Sequence, residues 1–167
     1  MSHPVAVEER PAEHGDALNL LRTLIAEAPG PEAAAQRVVE ELHNRFGHYD
    51  WVGIYWVDAA ANELVLGPWI GPEATEHTRI PIGVGICGAA AASGQTEIVD
   101  DVSEDPRYLA CFATTRSEIV VPIFAEGQVV GEIDIDGSDA SAYDETHARF
   151  LEEVAALVAP LRPRHDG

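Results

Sequence analysis

The sequence predicts an α+β domain in which a central antiparallel sheet carries helices on one of its faces. Two segments of helical periodicity come first, two pairs of strand-like runs follow, and one more helical segment closes the chain. A short turn separates the members of each pair, as in an antiparallel hairpin. Helices that flank such a sheet in sequence pack on one face. We therefore expect the segment between the hairpins to cover the other face and enclose a pocket.

Two amphipathic helices are predicted before the first strand. Apolar residues recur at helical spacing from Asp16 to Ala28, and the side chain of Asp16 is suited to cap the first turn. After the turn APGP, a second apolar stripe predicts a helix from Glu32 to Phe46. The residues of this stripe are Ala35, Val38, Val39, Leu42 and Phe46.

Two hairpins account for most of the predicted strands. The runs WVGIYWV (51–57) and ELVLGPWIG (63–71) predict the first, and residues 117–137 predict the second, with its turn at Glu126 and Gly127. Between the hairpins, RIPI and TEIVDDV predict short strands on either side of a brief Ala-rich helix. The run SEDPRYLACFATTR then predicts a loop or a short helix.

The end of the chain predicts a closing helix and fixes the expected domain limits. Apolar residues at helical spacing predict a helix from Tyr143 to Leu161, ended by nearby prolines. Residues 15–162 then form a single domain. Residues 1–14 are polar with two prolines, so we expect a flexible segment there, and we expect a flexible tail at 163–167.

The charge balance limits the partners. The chain has 10 basic and 29 acidic residues, for a net charge of −19. Such a surface repels phosphates, which argues against nucleic acid and membranes as partners. All the basic residues are Arg, so Schiff-base chemistry and a lysine P-loop are excluded. No secretory signal and no run of about 18 apolar residues is present, which predicts a cytoplasmic protein with reduced cysteines.

Thiols and carboxylates are concentrated between the start of GVGICG and the end of GEIDIDG. Both cysteines, Cys87 and Cys111, lie there. A free cysteine is most often a small buried hydrophobe, but Cys111 lies in an irregular segment among charged residues. From the residues alone, buried and reactive thiols remain alternatives for both cysteines.

The second hairpin carries acids on one side. A period of two places Glu132, Asp134 and Asp136 on one face of the strand, with two isoleucines on the other. This pattern has two interpretations, a solvated sheet face or a cation site beneath the covering segment, which Glu118 on the partner strand would join.

Three other motifs favour structural interpretations. Gly83, Gly85 and Gly88 match G-x-G-x-x-G, but the following helix is too short for a dinucleotide-binding crossover. The acidic run that starts at Asp134 imitates a calcium loop, but Asp139 occupies the position that requires glycine. The histidines lack metal-site spacing and no C-x-x-C occurs. We therefore expect no metal and no cofactor.

The pattern WVGIY, LGPWIG, RIPIGVGICG, DDV, LAC, SEIVVPI and GEIDID resembles the free methionine-(R)-sulfoxide reductases, which are stand-alone GAF domains. The resemblance extends over residues 51–136 and includes spacing. Cys111 follows Cys87 by 24 positions and precedes Glu118 by 7 and Asp136 by 25. The resemblance implies an enzyme that reduces free methionine-(R)-sulfoxide, with thioredoxin as reductant and a homodimeric assembly.

The resemblance also implies roles for individual residues. Cys111 matches the catalytic cysteine and Cys87 a cysteine able to resolve it. Three acids match residues that hold the ammonium group of the substrate: Glu118, Asp134 and Asp136. Two aromatic residues match the wall around the substrate methyl group: Trp51 and Tyr55.

These roles give a thiol mechanism. Cys111 would attack the sulfoxide sulfur while a protonated carboxyl, Asp136 or Glu118, donates a proton to the oxygen. Methionine would leave, and Cys87 would convert the sulfenic acid of Cys111 into a disulfide that a dithiol reduces. The alternative is a GAF module that binds a small molecule or senses oxidants without turnover.

Three positions depart from the pattern of the family. His77 stands where many members have a third cysteine, so either Cys87 resolves alone or the reductant attacks oxidised Cys111 directly. The usual HIACD is YLACF here, with Tyr108 and Phe112 in place of a histidine and an aspartate. This second change alters the acid–base surroundings of Cys111.

Overall fold

A computed structural model of the chain describes residues 11–110 and 112–163. Cys111 therefore lies outside the described residues, as do most of the predicted flexible segments at 1–14 and 163–167. Residues 12–14, at the end of the first of these segments, belong to a helix.

The described residues form four α-helices and six strands. The helices are α1 (Ala12–Glu27), α2 (Pro31–Arg45), α3 (Gly85–Ser93) and α4 (Glu145–Val158). The strands are β1 (Trp51–Asp58), β2 (Glu63–Ile70), β3 (Arg79–Pro81), β4 (Glu97–Val99), β5 (Ser117–Ala125) and β6 (Gln128–Gly137). The strands make one antiparallel sheet in the order β3, β2, β1, β6, β5, β4, which confirms the predicted fold class. No helix among the described residues is long and apolar enough to span a membrane.

The first helix begins earlier than its apolar spacing predicts. It starts at Ala12, with Pro11 as the residue before it, so the prediction that Asp16 caps the helix was wrong. Proline fixes its own φ and is favoured near helix starts. The extra turn is anchored by His14, which is buried and stacks on Phe150 with ring centroids 4.4 Å apart. A histidine is not counted in an apolar stripe, which is why the spacing missed this turn.

The other predicted elements differ from the structure mainly at their ends. Helix α2 buries the predicted stripe from Ala35 to Leu42 against the sheet. The closing helix begins at Glu145, where the side chain of Asp144 accepts hydrogen bonds from two backbone N–H groups. It passes into a short 3₁₀ helix over Ala159–Leu161, because Pro160 cannot continue the α-helical hydrogen bonds.

The sheet separates two buried clusters. Helices α1, α2 and α4 cover one face, whose core includes Val52, Ile54, Ile119, Val121, Ile133 and Ile135. Helix α3 and the segments on either side of it cover the other face, where they bury Trp51, Tyr55, Ile86, Cys87, Phe112 and Val120. This arrangement confirms the expected division between helices on one face and a covering segment on the other.

Candidate active site

Three acids of β6 point toward the face that α3 covers. Side chains alternate along a strand, so Glu132, Asp134 and Asp136 share one face while the isoleucines between them enter the helix-covered core. In the register of the sheet, Asp136 pairs with Glu118 of β5 and with Trp51 of β1. Directly opposed residues of antiparallel strands have neighbouring side chains, so Glu118 joins the row.

All four carboxyl side chains are buried. The exposed fraction is 4% for Glu118, 0% for Glu132, 3% for Asp134 and 3% for Asp136. The interpretation of this row as a solvated sheet face is therefore wrong. No ion pair among the described residues includes any of the four: the arginines that form ion pairs there bind other acids. We refer to Glu118, Glu132, Asp134 and Asp136 as the acid cluster.

Helix α3 places a thiol above the acid cluster. Cys87 is 7% exposed, and its Sγ lies 3.9 Å from Oε2 of Glu118, to which it donates a weak hydrogen bond. The entry into the helix requires glycine. Gly85 has φ of +70°, and a Cβ on Gly88 would lie 2.7 Å from the carbonyl oxygen of Pro81. The G-x-G-x-x-G run is thus a tight turn that brings Cys87 close to the sheet.

An aromatic wall borders the acid cluster at β1. Gly53 pairs with Asp134, and a Cβ at Gly53 would lie 2.3 Å from Cη2 of Trp51. The indole therefore lies across the space left by the missing side chain. It stacks on Trp69, with ring centroids 6.1 Å apart, and its centroid lies 5.7 Å from that of the tilted Phe112 ring. Phe112, which replaces the usual aspartate, extends this wall.

Tyr55 connects the sheet to the covering segment. Its hydroxyl donates a hydrogen bond of 3.0 Å to the carbonyl oxygen of His77, and the residue is 1% exposed. Tyr55 also pairs with Glu132 across the β1–β6 register. Its ring therefore lies on the face that carries the acid cluster, and its hydroxyl is bonded to the segment that covers that face.

The acids raise one another's pKa values. Burial, followed by repulsion from Asp134 and Asp136, raises the pKa of Glu118 well above its usual range. Hydrogen bonds with both aspartates raise it further. Burial also raises the pKa of Asp134 and raises that of Asp136 well above its usual range, and the hydrogen bonds with Glu118 offset part of this increase. These hydrogen bonds therefore favour a proton on Glu118 over one on either aspartate.

The remaining groups of the site also favour their protonated forms. Burial and then repulsion from Asp134 raise the pKa of Glu132, and the nearby Cys87 thiol offsets part of this. Burial and the four surrounding carboxylates raise the pKa of the Cys87 thiol well above its usual range. Several oxygens still lack a hydrogen-bond partner within the described part of the chain: both of Glu132, Oδ1 of Asp134 and Oδ1 of Asp136.

A cavity of about 520 Å³ adjoins one end of the acid cluster. Trp51, Phe112 and Asp136 line it, together with Gly71 and Thr115. It is large enough for a small molecule. A ligand in this cavity would meet indole and phenyl rings on one side and a buried carboxyl on another.

The structure brings together six of the seven sequence-predicted site residues. Cys87, Glu118, Asp134, Asp136, Trp51 and Tyr55 all lie on the α3-covered face, while Cys111 is outside the described residues. Two neighbours were not among the predicted site residues: Glu132 and Trp69. The period of two already placed Glu132 in the row, whereas Trp69 lay in a predicted strand and in the family pattern LGPWIG without an assigned role.

One subset of these groups has the spacing of metal ligands. Cys87 Sγ, a Glu118 oxygen and an Asp134 oxygen all lie within 4.8 Å of one another. The expectation of no metal rested on histidine spacing and on C-x-x-C, and neither signal addresses this three-donor group.

Comparisons with known proteins agree with this architecture. The family model described as GAF domain matches residues 30–160. The solved structure of free methionine-R-sulfoxide reductase from Neisseria meningitidis, in complex with its substrate, is 37% identical with a TM-score of 0.84, covering 96% of this chain and 94% of that one. Among curated relatives, GAF domain-containing protein A of Dictyostelium discoideum is 39% identical over 72% of this chain and 74% of its own. Free methionine-R-sulfoxide reductase of Escherichia coli is 34% identical over 69% and 67%, respectively.

Proposed function

Because the chain belongs to the GAF-domain family, and within it to the free methionine-R-sulfoxide reductases, we propose that it reduces free L-methionine-(R)-sulfoxide to L-methionine. The chain is an oxidoreductase. The observation that carries the choice of substrate is the acid cluster, which is buried and has no ion-pair partner among the described residues.

The acid cluster suits the ammonium group of a free amino acid. An ammonium group can donate three hydrogen bonds, and Glu118, Asp134 and Asp136 offer acceptors that include two unpaired Oδ1 atoms. A methionine sulfoxide within a peptide lacks this positive charge. Binding it here would leave buried polar groups unmatched, so the site selects the free amino acid.

The aromatic wall suits the sulfur end of the substrate. Trp51, Trp69 and Phe112 form a continuous aromatic surface beside Asp136. Sulfur and methyl groups pack favourably on aromatic rings. We propose that Trp51 contacts the methyl group and that Tyr55 holds the covering segment in place through His77.

Glu118 is the proposed proton donor. Burial and repulsion from the two neighbouring aspartates raise its pKa, so it retains a proton that it can donate to either Asp134 or Asp136. The sequence left Asp136 and Glu118 as alternatives. The hydrogen bonds favour Glu118, with Asp136 as the acceptor that lies nearer the cavity.

Cys111 is the proposed nucleophile, on the basis of the family resemblance. Its thiolate attacks the sulfoxide sulfur, the sulfoxide oxygen takes up a proton, and the oxygen is transferred to Cys111. The products are methionine, in which sulfur has gained two electrons, and a sulfenic acid on Cys111. A second thiol then forms a disulfide with Cys111 and releases the oxygen as water.

Cys87 is the proposed second thiol. Its raised pKa keeps it protonated while the site is at rest. The carboxylates around it, freed when methionine leaves, can accept its proton when it attacks the sulfenic acid. We further propose thioredoxin as the external dithiol, a homodimeric assembly and a cytoplasmic location.

The test is methionine release from the free R and S sulfoxides by the reduced full chain with a dithiol. We expect turnover of the R form only, lost in Cys111→Ser and retained in Glu126→Gln, which changes an exposed acid in the β5–β6 turn. Equal release by Cys111→Ser would contradict the proposed nucleophile. No release from either sulfoxide would contradict the reaction itself.

The second candidate is a GAF module that binds an amino acid without turnover. The buried acid cluster and the adjoining cavity favour it, because they could bind an amino acid without any thiol chemistry. In that case methionine sulfoxide would bind to the full chain in calorimetry, yet peroxide treatment would form no Cys87–Cys111 disulfide.

A further inference from the structure

We propose that Cys87, Glu118 and Asp134 form an inhibitory binding site for a thiophilic divalent cation such as Zn²⁺. The site overlaps the place assigned to the substrate ammonium group, so the inhibition, though not the metal site itself, rests on the proposed function. Metal and substrate would then exclude each other.

The spacing of the donor atoms suits zinc. In a tetrahedral site with ordinary Zn–S and Zn–O bonds, sulfur and oxygen ligands are about 3.5 Å apart. Sγ of Cys87 and Oε2 of Glu118 are 3.9 Å apart, and the third donor, from Asp134, lies within 4.8 Å of both. Decreases in these separations of between about 0.4 and 1.3 Å would bring the three donors into coordination.

Buried oxygens without a hydrogen-bond partner indicate that this face can bind a cation. Oδ1 of Asp134 has no hydrogen-bond partner in the described part of the chain, although the residue is 3% exposed. Both oxygens of Glu132, two positions away on the same face, are also without a hydrogen-bond partner there. Buried polar atoms are paired in most proteins, so these oxygens are available either as a fourth ligand or as acceptors for a metal-bound water.

The donor set selects among cations. One thiolate and two carboxylates favour Zn²⁺ or Cd²⁺, since calcium and magnesium prefer oxygen ligands and larger coordination numbers. The ammonium group of an amino acid carries one positive charge, whereas a divalent cation neutralises two of the buried acids. Metal binding also releases the protons that Cys87 and the acid cluster retain at rest.

The test uses the reduced, metal-free full chain and Cd²⁺, because a cadmium–thiolate bond gives an ultraviolet charge-transfer band. We expect one Cd²⁺ per chain, with the band retained in Cys111→Ser and lost in Cys87→Ser. For Asp134→Asn we expect an affinity at least about tenfold lower, because a ligand is removed. A band that is absent in the wild-type chain, or one that depends on Cys111 alone, overturns the proposal.

Two controls exclude unfolding of the variants and binding of Cd²⁺ to exposed acids. Each variant is checked by urea unfolding, so that loss of the band is not loss of the fold. Glu97→Gln, at a partly exposed acid that binds Arg107, should leave the affinity for Cd²⁺ unchanged. An equal loss of affinity in Glu97→Gln and Asp134→Asn would mean binding to surface acids and would overturn the site.

Competition connects the metal to the reaction. Zn²⁺ should raise the KM for methionine sulfoxide without changing kcat, and free methionine should lower the amplitude of the cadmium band. Turnover without a Cys87-dependent band overturns the metal site and leaves the proposed reaction intact. A Cys87-dependent band in a chain without turnover retains the metal site and overturns the reaction.

Discussion

The two faces of the sheet are built by the same strands and hold opposite kinds of side chain. In β6, Ile133 and Ile135 are fully buried under the helices, while Asp134 and Asp136 are almost as deeply buried under α3. One residue along the strand separates an apolar core from a cluster of acids. Depth of burial is therefore nearly the same on both faces, and only the chemistry of the side chains differs.

This difference separates stability from binding. Apolar side chains stabilise the fold when they leave water, whereas unpaired carboxyls oppose folding when they do. No ion pair among the described residues includes an acid of the cluster and offsets that effect. We infer that the helix-covered face supplies the stability that allows the α3-covered face to hold unpaired acids for a cationic ligand.

The largest expected effect on stability comes from the apolar face. Ile135→Ala should lower the free energy of unfolding by about 2–5 kcal/mol, because it leaves a cavity in a fully buried core. Asp134→Asn, one residue away, should lower it by less than about 1 kcal/mol or raise it, because an amide has no charge to bury. Urea unfolding of both variants measures the two values. A larger loss for Asp134→Asn would contradict the division between the faces.

Alternation made this division predictable from the sequence, but not whether the acids would be buried. The period of two placed Glu132, Asp134 and Asp136 together, and it could not distinguish solvated acids from buried ones. The burial of that face depends on α3 and on contacts such as the hydrogen bond from Tyr55 to His77, which join residues distant in sequence. Local patterns carry no information on such contacts.

The next effect is on catalysis. Glu118→Gln keeps the shape of the side chain but removes the proton that Glu118 shares with Asp134 and Asp136. We expect kcat/KM for free methionine-(R)-sulfoxide to fall on the order of 10²-fold, with little change in stability. Steady-state kinetics beside the exposed variant Glu126→Gln measures this. Wild-type kinetics in Glu118→Gln would contradict both proposed roles of Glu118, binding of the ammonium group and proton donation.

A smaller effect is expected on the pH dependence of stability, through Glu132 of the acid cluster. Burial raises the pKa of Glu132, so in the folded state its proton is held more tightly than in the unfolded state, where the pKa is about 4.3. The stability that this group contributes is complete below that value and is lost as pH rises through the folded pKa. Glu132→Gln should therefore be more stable than the wild type by about 1–3 kcal/mol at alkaline pH, with a smaller difference near pH 4.

Urea unfolding between about pH 4 and pH 9 tests this slope, and Glu126→Gln is the matched control. A difference between Glu132→Gln and wild type that stays constant across the range would contradict the raised pKa of Glu132, because it would mean that the carboxyl has the same pKa in the folded and unfolded states.

Some contacts on the helix-covered face also could not be predicted from the sequence. Apolar spacing located α1 but missed its first turn, because that turn depends on the stacking of His14 on Phe150, far along the chain. The ring of His147 lies 5.5 Å from that of His14, centroid to centroid, and its Nδ1 lies 2.7 Å from the hydroxyl of Tyr49. Apolar spacing alone does not predict that these polar rings pack together on the helix-covered face.

The smallest expected effect is on the pH dependence of stability at the helix-covered face, where His147 acts in the opposite direction to Glu132. Burial lowers the pKa of His147, while Asp144 and Glu13 raise it and His48 lowers it. The unfolded state, with a histidine pKa near about 6.5, then binds protons that the folded state does not, so stability is lost as pH falls below that value. His147→Gln should reduce this loss, and Glu13→Gln should move the pKa of His147 further down in an NMR titration. If stability of the wild type instead rises steadily from neutral to acid pH, then the acid cluster alone sets the pH dependence and the helix-covered face contributes nothing to it.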